Sequence, residues 1–126
     1  MSRVYFGVTR DDLVQLFETS QLSVQTCEHF RAYTVTMQWA EIQSEKDPEI
    51  LADELLQIVA EHSNPFIVVA ELSQHGFEIL DPDLGLVRVT SAIAAKQIEA
   101  LFQRDADGEL LWFGPSELES LLESTA

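Results

Sequence analysis

Alternating apolar and polar residues predict several strands along the chain. In "RVYFGV" (Arg3–Val8) the valines and the phenylalanine alternate with arginine and tyrosine, which indicates a strand with one buried face. The segment Phe66–Leu72, "FIVVAEL", is apolar at almost every position, which is typical of a central strand buried on both faces. Further strands are predicted at Phe30–Val35, Leu86–Thr90, Ile98–Gln103 and Glu109–Phe113. The intervening segment Ser73–Gly85 is rich in turn residues and predicts a loop or hairpin connection.

Apolar residues at helical spacing predict the helices. After Thr9, a capping residue with Asp12 in the capping-box position, a stripe of Leu13, Leu16 and Phe17 begins the first helix. "MQWAEIQS" predicts a short second helix. Ser116 and Glu119 form a capping-box pattern for a last helix whose apolar residues are Leu118, Leu121 and Leu122.

The clearest helix is predicted in "DPEILADELLQIVAEHS". Asp47 is its cap, Pro48 suits its first position, and Asn64-Pro65 ends it. One face is apolar and is formed by Leu51, Leu55, Ile58 and Val59. Polar residues lie mostly away from that face, namely Asp53, Glu54, Gln57 and Glu61. The helix should therefore bury one side against the sheet and show an acidic side to solvent.

Residues 91–103 fit two patterns. Ser91 could cap one long helix, yet Ile98, Ala100 and Phe102 alternate as in a strand. We favour a short helix at Ile93–Lys96 followed by a strand at Ile98–Gln103. The irregular mixture of strands and helices then predicts an α+β fold with a mixed or antiparallel sheet of about four to five strands and helices packed against it. We expect a single domain over residues 1–126, frayed at about 123–126.

Composition narrows the function. The chain has 22 acidic and seven basic residues, a formal net charge of −15, and no basic cluster. Direct binding to nucleic acid or to an anionic membrane is therefore disfavoured. There is no long apolar run and no signal peptide, and a single cysteine cannot form an internal disulfide. These features predict a cytoplasmic protein.

The acidic stretch "RDADGELLWFGP" (Arg104–Pro115) suggests a calcium loop, but its spacing fails. An EF-hand loop ends in a bidentate glutamate at position 12, and counting from Asp105 places Ser116 there. Aligning Gly108 with the required glycine instead starts the loop at Gln103, which is no carboxylate. A tight turn at Asp107-Gly108 is the better interpretation. "DPDLG" at Asp81–Gly85 lacks a later ligand as well, so no metal is expected.

Other catalytic or cofactor signatures are missing from the sequence. Cys27 and His29 form one short pair without a second cysteine, which is too few ligands for structural zinc. His62 and His75 are the other histidines. There is no glycine-rich phosphate loop, nucleophile elbow or zinc-protease motif. We therefore assign no catalytic, cofactor-binding or metal-binding residue and favour a protein that is not an enzyme.

Three aromatic residues are candidates for an interaction surface. Trp39 lies on the predicted short helix, and Trp112 and Phe113 follow the acidic turn. Adjacent residues of a strand point to opposite faces, so Trp112 and Phe113 cannot share one core layer. We expect the last helix to cover the second aromatic. An exposed tryptophan would matter, because this residue is enriched at interface hot spots.

In order and spacing the chain resembles a family of short, acidic, uncharacterised actinobacterial proteins. The resemblance rests on five segments: "RVYFGVT", the helix at Leu13–Phe17, "AYTVT" (Ala32–Thr36), "FIVVAEL" and "ELLWFGPSEL" (Glu109–Leu118). It implies the same fold pattern and a cytoplasmic location. It implies no activity, cofactor or catalytic residue.

Three hypotheses about function follow. The leading one is a non-enzymatic protein–protein interaction module that uses Trp39, Trp112 and Phe113, with a homodimer as one form of it. The second is an acidic mimic or neutralising partner of a basic nucleic-acid-binding protein or toxin, with Asp53, Glu54 and Glu61 as its acidic face. The third is a small enzyme that uses a carboxylate or Cys27 in a concave pocket.

Overall fold

The computed structural model describes residues 2–22, 32–44, 47–61 and 66–124. Within them the chain forms four helices: α1 (Arg10–Thr19), α2 (Met37–Gln43), α3 (Pro48–Glu61) and α4 (Leu118–Ser124). It also forms nine strands: β1 (Ser2–Val8), β2 (Gln21–Leu22), β3 (Ala32–Tyr33), β4 (Phe66–Leu72), β5 (Phe77–Asp81), β6 (Leu86–Val89), β7 (Ile93–Ala94), β8 (Ile98–Arg104) and β9 (Leu110–Phe113). No helix among these residues is both long and apolar enough to cross a membrane.

The predicted α+β class is confirmed, but the sheet is larger than expected. Seven strands form one sheet in the order β5-β6-β3-β1-β4-β8-β9, and every pairing is antiparallel. A separate ribbon pairs β2 with β7. The estimate of four to five strands for the sheet was too low, and it missed β5 because that strand arises in the segment interpreted as a connection.

Both sides of the sheet centre are covered. One side packs with α1, α4 and the β2–β7 ribbon, and we call it the α1 face. The other packs with α2 and α3, and we call it the α3 face. The expectation that β1 has one buried face was wrong: Val4, Phe6 and Val8 are buried on the α1 face, and Tyr5 is buried on the α3 face. The strand is sandwiched because α3 lies across it.

The predicted starts of the first three helices are confirmed. Thr9 and Asp12 form the capping box of α1, with Asp12 N–H donating to Thr9 Oγ1 and Thr9 N–H donating to Asp12 Oδ2. Thr36 accepts a hydrogen bond from the Trp39 N–H and so caps α2. Asp47 accepts from the Glu49 N–H at the start of α3. In α1, Leu13 and Leu16 are buried, whereas Phe17 is 50% exposed at the edge of the stripe.

The region 91–104 contains a strand, as favoured, preceded by less helix than expected. Ile93–Ala94 is strand β7, and only Ala95–Gln97 forms a single 3-10 turn. Strand β8 carries a bulge opposite Val69 and Ala70 of β4. The extra residue places Ile98 on the α1 face and Ala100 and Phe102 on the α3 face, although their alternation predicted one shared face.

The last helix forms with a different cap from the predicted one. Ser116 lies inside a 3-10 turn, Pro115–Glu117, that precedes α4. The cap is made instead by Glu117, whose Oε1 accepts from the Gly114 N–H at 3.1 Å. Leu118, Leu121 and Leu122 are buried as expected. Phe30, Asn64 and Pro65, which were assigned to element ends, lie outside the described residues.

Candidate functional site

The two tryptophans have opposite environments. Trp39 of α2 is 3% exposed and belongs to the core cluster on the α3 face, together with Tyr33 and Leu51. Trp112 of β9 is 61% exposed. Trp39 is buried because α2 lies on the sheet above the β5–β6 turn, where Gly85 lies close to its indole. Of the two tryptophans, only Trp112 offers a contact surface.

Phe113 and Trp112 point to opposite faces of β9, as strand geometry requires. Phe113 is partly buried and packs against the cluster on the α1 face that contains Leu118, Leu121 and Leu122 of α4. The expectation that the last helix covers the second aromatic was wrong, because α4 lies on the α1 face, where Phe113 already packs. Trp112 is left on the α3 face.

A trough lies on the α3 face between α3 and the strands β1, β4 and β8. It has a volume of about 500 Å³. Its walls and floor are largely apolar and consist of Tyr5, Ala52, Leu56, Val69, Ala100 and Phe102, and Arg3 and Glu99 complete the lining. Trp112 is the cross-strand partner of Phe102 and therefore stands beside the trough on the same face.

The trough exists because the helices cover only part of this face. α3 packs on β1, β3 and β4. Beyond it, β8 and β9 continue the sheet to its edge. Two antiparallel strands add about 10 Å of width. Only some side chains of this margin, Ala100, Phe102 and Leu110, are partly buried against the α3 cluster, so α3 covers the margin incompletely.

Arg3 and Glu99 form an ion pair at one side of the trough. Arg3 Nε lies 2.7 Å from Glu99 Oε2, and the two side chains are 63% and 33% exposed. The pair reaches across β4, from β1 to β8, because Glu99 lies at the bulge. Arg3 is the one cation in the trough lining, and its charge is already matched by Glu99.

Tyr5 places a phenol in the floor of the trough. Burial raises the pKa of the Tyr5 hydroxyl, and a charge interaction and a hydrogen bond with Arg3 oppose part of that rise. The carboxylates of Glu99 and Asp53 raise the pKa further. The phenol therefore stays protonated at neutral pH and serves as a hydrogen-bonding group in an otherwise apolar floor.

Trp112 is held in place although it is exposed. A methyl group at Gly114 would lie 3.4 Å from Trp112 Cη2 and 3.4 Å from Glu117 Oε1, so the indole edge lies close to the Gly114 backbone. Gly114 and Trp112 are two residues apart and share a face of the strand. The glycine thus makes room for the ring, and Glu117 fixes the glycine through its N–H.

α3 lines one side of the trough and carries no cation among its residues. Its acidic side chains are Glu49, Asp53, Glu54 and Glu61, and all of them are exposed. At helical spacing, Glu49 and Asp53 lie on the same side as the trough residue Leu56, seven and three positions before it. Of the three acidic residues predicted to form one face, Asp53 therefore lies on the trough side of α3, and Glu54 and Glu61 lie on its outer side.

Carboxylates are not confined to α3. Acidic residues occur on each of the four described helices, in the β5–β6 turn and in the β8–β9 turn. Mimicry of a nucleic acid needs one face that concentrates the negative charge. This distribution gives that hypothesis little support beyond α3 itself.

The β8–β9 turn uses its acidic residues for its own backbone. Asp105 Oδ1 accepts from the N–H groups of Asp107 and Glu109, each at 2.9 Å, and Gly108 has a φ of 86°. The turn predicted at Asp107-Gly108 is confirmed. No group of three or more metal-ligating side chains is present among residues 2–22, 32–44, 47–61 and 66–124.

The groups of the described trough lining that can exchange a proton are the Tyr5 phenol and the Glu99 carboxylate, and Glu99 is ion-paired with Arg3. The described lining has no serine, threonine, cysteine or histidine. Cys27, His29 and His62 lie outside the described residues, and His75 is exposed in the 3-10 turn before β5. The chemistry that the trough can provide is apolar contact, a phenol hydrogen bond and an ion pair, which suits binding.

Sequence reasoning found Trp112 and the acidic side of α3 but missed the rest of this site. Arg3 and Glu99 are distant in sequence, and only strand order and the bulge bring them together. Phe102 was seen as a strand residue without a known neighbour. Arg3 and Tyr5 alternate with the buried valines and phenylalanine of β1. This alternation was the sequence signal that pointed to the second face of the strand.

No protein-family model, curated protein or solved structure matches this chain.

Proposed function

We propose that this protein is a non-enzymatic binding module that contacts a partner protein through Trp112 and the trough. The observation that carries the proposal is the 61% exposure of Trp112 beside an apolar trough at the open margin of the α3 face. Large exposed aromatics next to a concave apolar surface are typical of interface hot spots.

The composition of the trough supports binding in preference to catalysis. The described lining combines apolar side chains with a protonated phenol and a matched ion pair. Such groups orient a bound surface through hydrogen bonding and charge. A homodimer through the same surface is a special case of this proposal, in which the partner is a second copy.

Affinity capture with paired variants tests the proposal. The protein, Trp112→Ala and Leu111→Ala are immobilised in parallel, and proteins captured from a native lysate are compared by mass spectrometry. Leu111 is the matched control, because it is the preceding residue of β9, is 45% exposed and points to the other face. We expect a partner that is lost with Trp112→Ala and retained with Leu111→Ala.

The mass of the purified protein, measured by light scattering, tests whether the partner is a second copy. A mass of two chains that returns to one chain in Trp112→Ala would identify the partner as a second copy. Identical capture by all three proteins, together with a monomer in solution, would contradict the proposed contact surface.

A further inference from the structure

We propose that the trough binds one amphipathic helix of a basic partner protein, with its apolar side on Phe102 and Trp112 and its lysines or arginines against α3. This inference rests on the proposed function and names the chemistry of the partner. It is argued from the dimensions of the open margin and from the charge around it.

The open margin has the size of one helix. β8 and β9 extend the sheet by about 10 Å beyond β4, and a helix with its side chains is about 10–12 Å across. Neighbouring helices on a sheet pack about 8–10 Å apart, so a helix above β8 and β9 would contact α3 along its length. β8 has seven residues and is about 23 Å long, which a helix of about 15 residues spans.

The apolar groups of the trough are spaced to receive helical ridges. Phe102 and Trp112 lie side by side on adjacent strands, and Ala52 and Leu56 are one helical turn apart on α3. A helix with apolar residues at positions i, i+3, i+4 and i+7 presents a stripe that fits between them. The small side chains of Ala52 and Ala100 leave the space that larger residues of the partner would fill.

Charge decides which helix fits. Glu49 and Asp53 lie, at helical spacing, on the same side of α3 as the lining residue Leu56, and within the described lining Arg3 is paired with Glu99. Arg104, at the far end of β8, donates to the Ala60 carbonyl oxygen at 2.6 Å and so caps α3. Among the described residues, the α3 side of the trough therefore carries net negative charge, which complements lysine or arginine.

The same charges argue against a helix from a second copy. Every described helix of this chain is net acidic: α1 has three acidic residues and one arginine, α2 has one acidic residue, α3 has four and α4 has two. Seating any of them beside α3 would place like charges together in a partly desolvated site, which costs binding free energy. The occupant is thus a different, basic protein.

The probe for the test is a synthetic peptide of about 15 residues made of leucine and lysine, with the leucines at helical spacing. A scrambled peptide of equal composition, whose leucines form no stripe, is the control for simple charge attraction. Trp39→Phe leaves Trp112 as the sole tryptophan, so its fluorescence reports directly on the trough. We expect a blue shift with the amphipathic peptide, and at least about tenfold weaker binding of the scrambled one.

Matched charge variants locate the contact on α3. Glu49→Gln/Asp53→Asn removes two charges on the trough side, and Glu54→Gln/Glu61→Gln removes two on the outer side. At physiological ionic strength we expect the first pair to weaken peptide binding about three- to tenfold and the second less than about twofold. Circular dichroism and urea unfolding confirm that each variant is folded.

The outcomes separate this inference from the proposed function. Equal affinity for both peptides, or equal effects of the two charge pairs, would overturn the basic-helix inference and leave the Trp112 surface untouched. A different outcome is that, in the absence of peptide, the Trp112 emission shifts to the blue as the protein concentration rises while the mass doubles. That result would overturn the basic-helix inference in favour of a second copy. The proposed function fails as well if the peptide binds without changing the Trp112 emission and if Trp112→Ala binds the peptide as tightly as the unsubstituted protein.

Discussion

The α3 face of the sheet has two halves that differ in what lies above them. Over β6, β3, β1 and β4, the helices α2 and α3 cover the strands, and Trp39 is buried there. Over β8 and β9 the helix α3 covers the side chains only partly, and Trp112 is exposed. The same residue type on the same face thus has a structural role in one half and is available for contact in the other.

The difference shows that hydrophobic pattern and exposure are separate properties. Both halves have apolar side chains on this face, including Tyr33 and Val69 in one and Phe102 and Leu110 in the other. A sheet normally buries such a face beneath another layer. Among the described residues that layer is incomplete over β8 and β9, and the proposed partner contact lies there.

The largest expected contrast is between the two tryptophans. Trp39→Ala should lower the free energy of unfolding by about 3–5 kcal/mol, because it leaves a large cavity between α2 and the sheet. Trp112→Ala should change it by less than about 1 kcal/mol, since the indole is mostly solvated. Urea unfolding of both variants measures this contrast. Similar losses for the two would mean that Trp112 is also covered in solution and would erase the distinction between the halves.

A second contrast compares the glycines of the two hairpin turns. Gly85 and Gly108 both have positive φ, 67° and 86°, but a Cβ at Gly85 would lie 2.4 Å from the Thr34 carbonyl oxygen, whereas one at Gly108 meets nothing within 4 Å. Gly108→Ala should therefore cost only the backbone strain, about 1–2 kcal/mol. Gly85→Ala should cost more, about 2–4 kcal/mol, because the backbone of the covered half must also shift. Thermal or urea unfolding measures both; a larger loss at Gly108 would show that the β8–β9 turn is the more tightly packed one.

The smallest expected effect concerns Tyr5, at the boundary between the halves. Its pKa is raised in the folded protein, so above about pH 10 the unfolded chain loses the phenol proton first and is favoured. Stability should fall as the pH rises through this range, by at most about 1.4 kcal/mol per pH unit for this one group. Tyr5→Phe should lose less stability than the unsubstituted protein between about pH 9 and about pH 11. The urea unfolding midpoints of Tyr5→Phe and of the unsubstituted protein are compared at the two pH values. An equal loss of stability in both proteins would assign the alkaline effect to other groups.

The sequence predicts those parts of the fold that depend on local pattern. The capping box at Thr9 and Asp12, the long helix α3 and the buried strand β4 all follow from spacing within a few residues. The opposite orientation of Trp112 and Phe113 follows from strand geometry alone. These features need no knowledge of distant neighbours.

The parts that were missed depend on neighbours that are distant in sequence. Tyr5 is buried because α3, which begins more than 40 residues later, crosses its strand. The bulge that turns Ile98 away from Ala100 exists only in the pairing of β8 with β4. The trough needs both of these features, together with the ion pair between Arg3 and Glu99. It could not be found until the strands were ordered.

The position of Trp112 against Gly114 has an entropic consequence. Ordering a mobile side chain at an interface costs about 0.5–1.5 kcal/mol. An indole whose edge already lies close to the Gly114 backbone has fewer rotamers to lose when a partner arrives. The contact with the Gly114 backbone therefore limits the conformational freedom of the indole before any partner is bound.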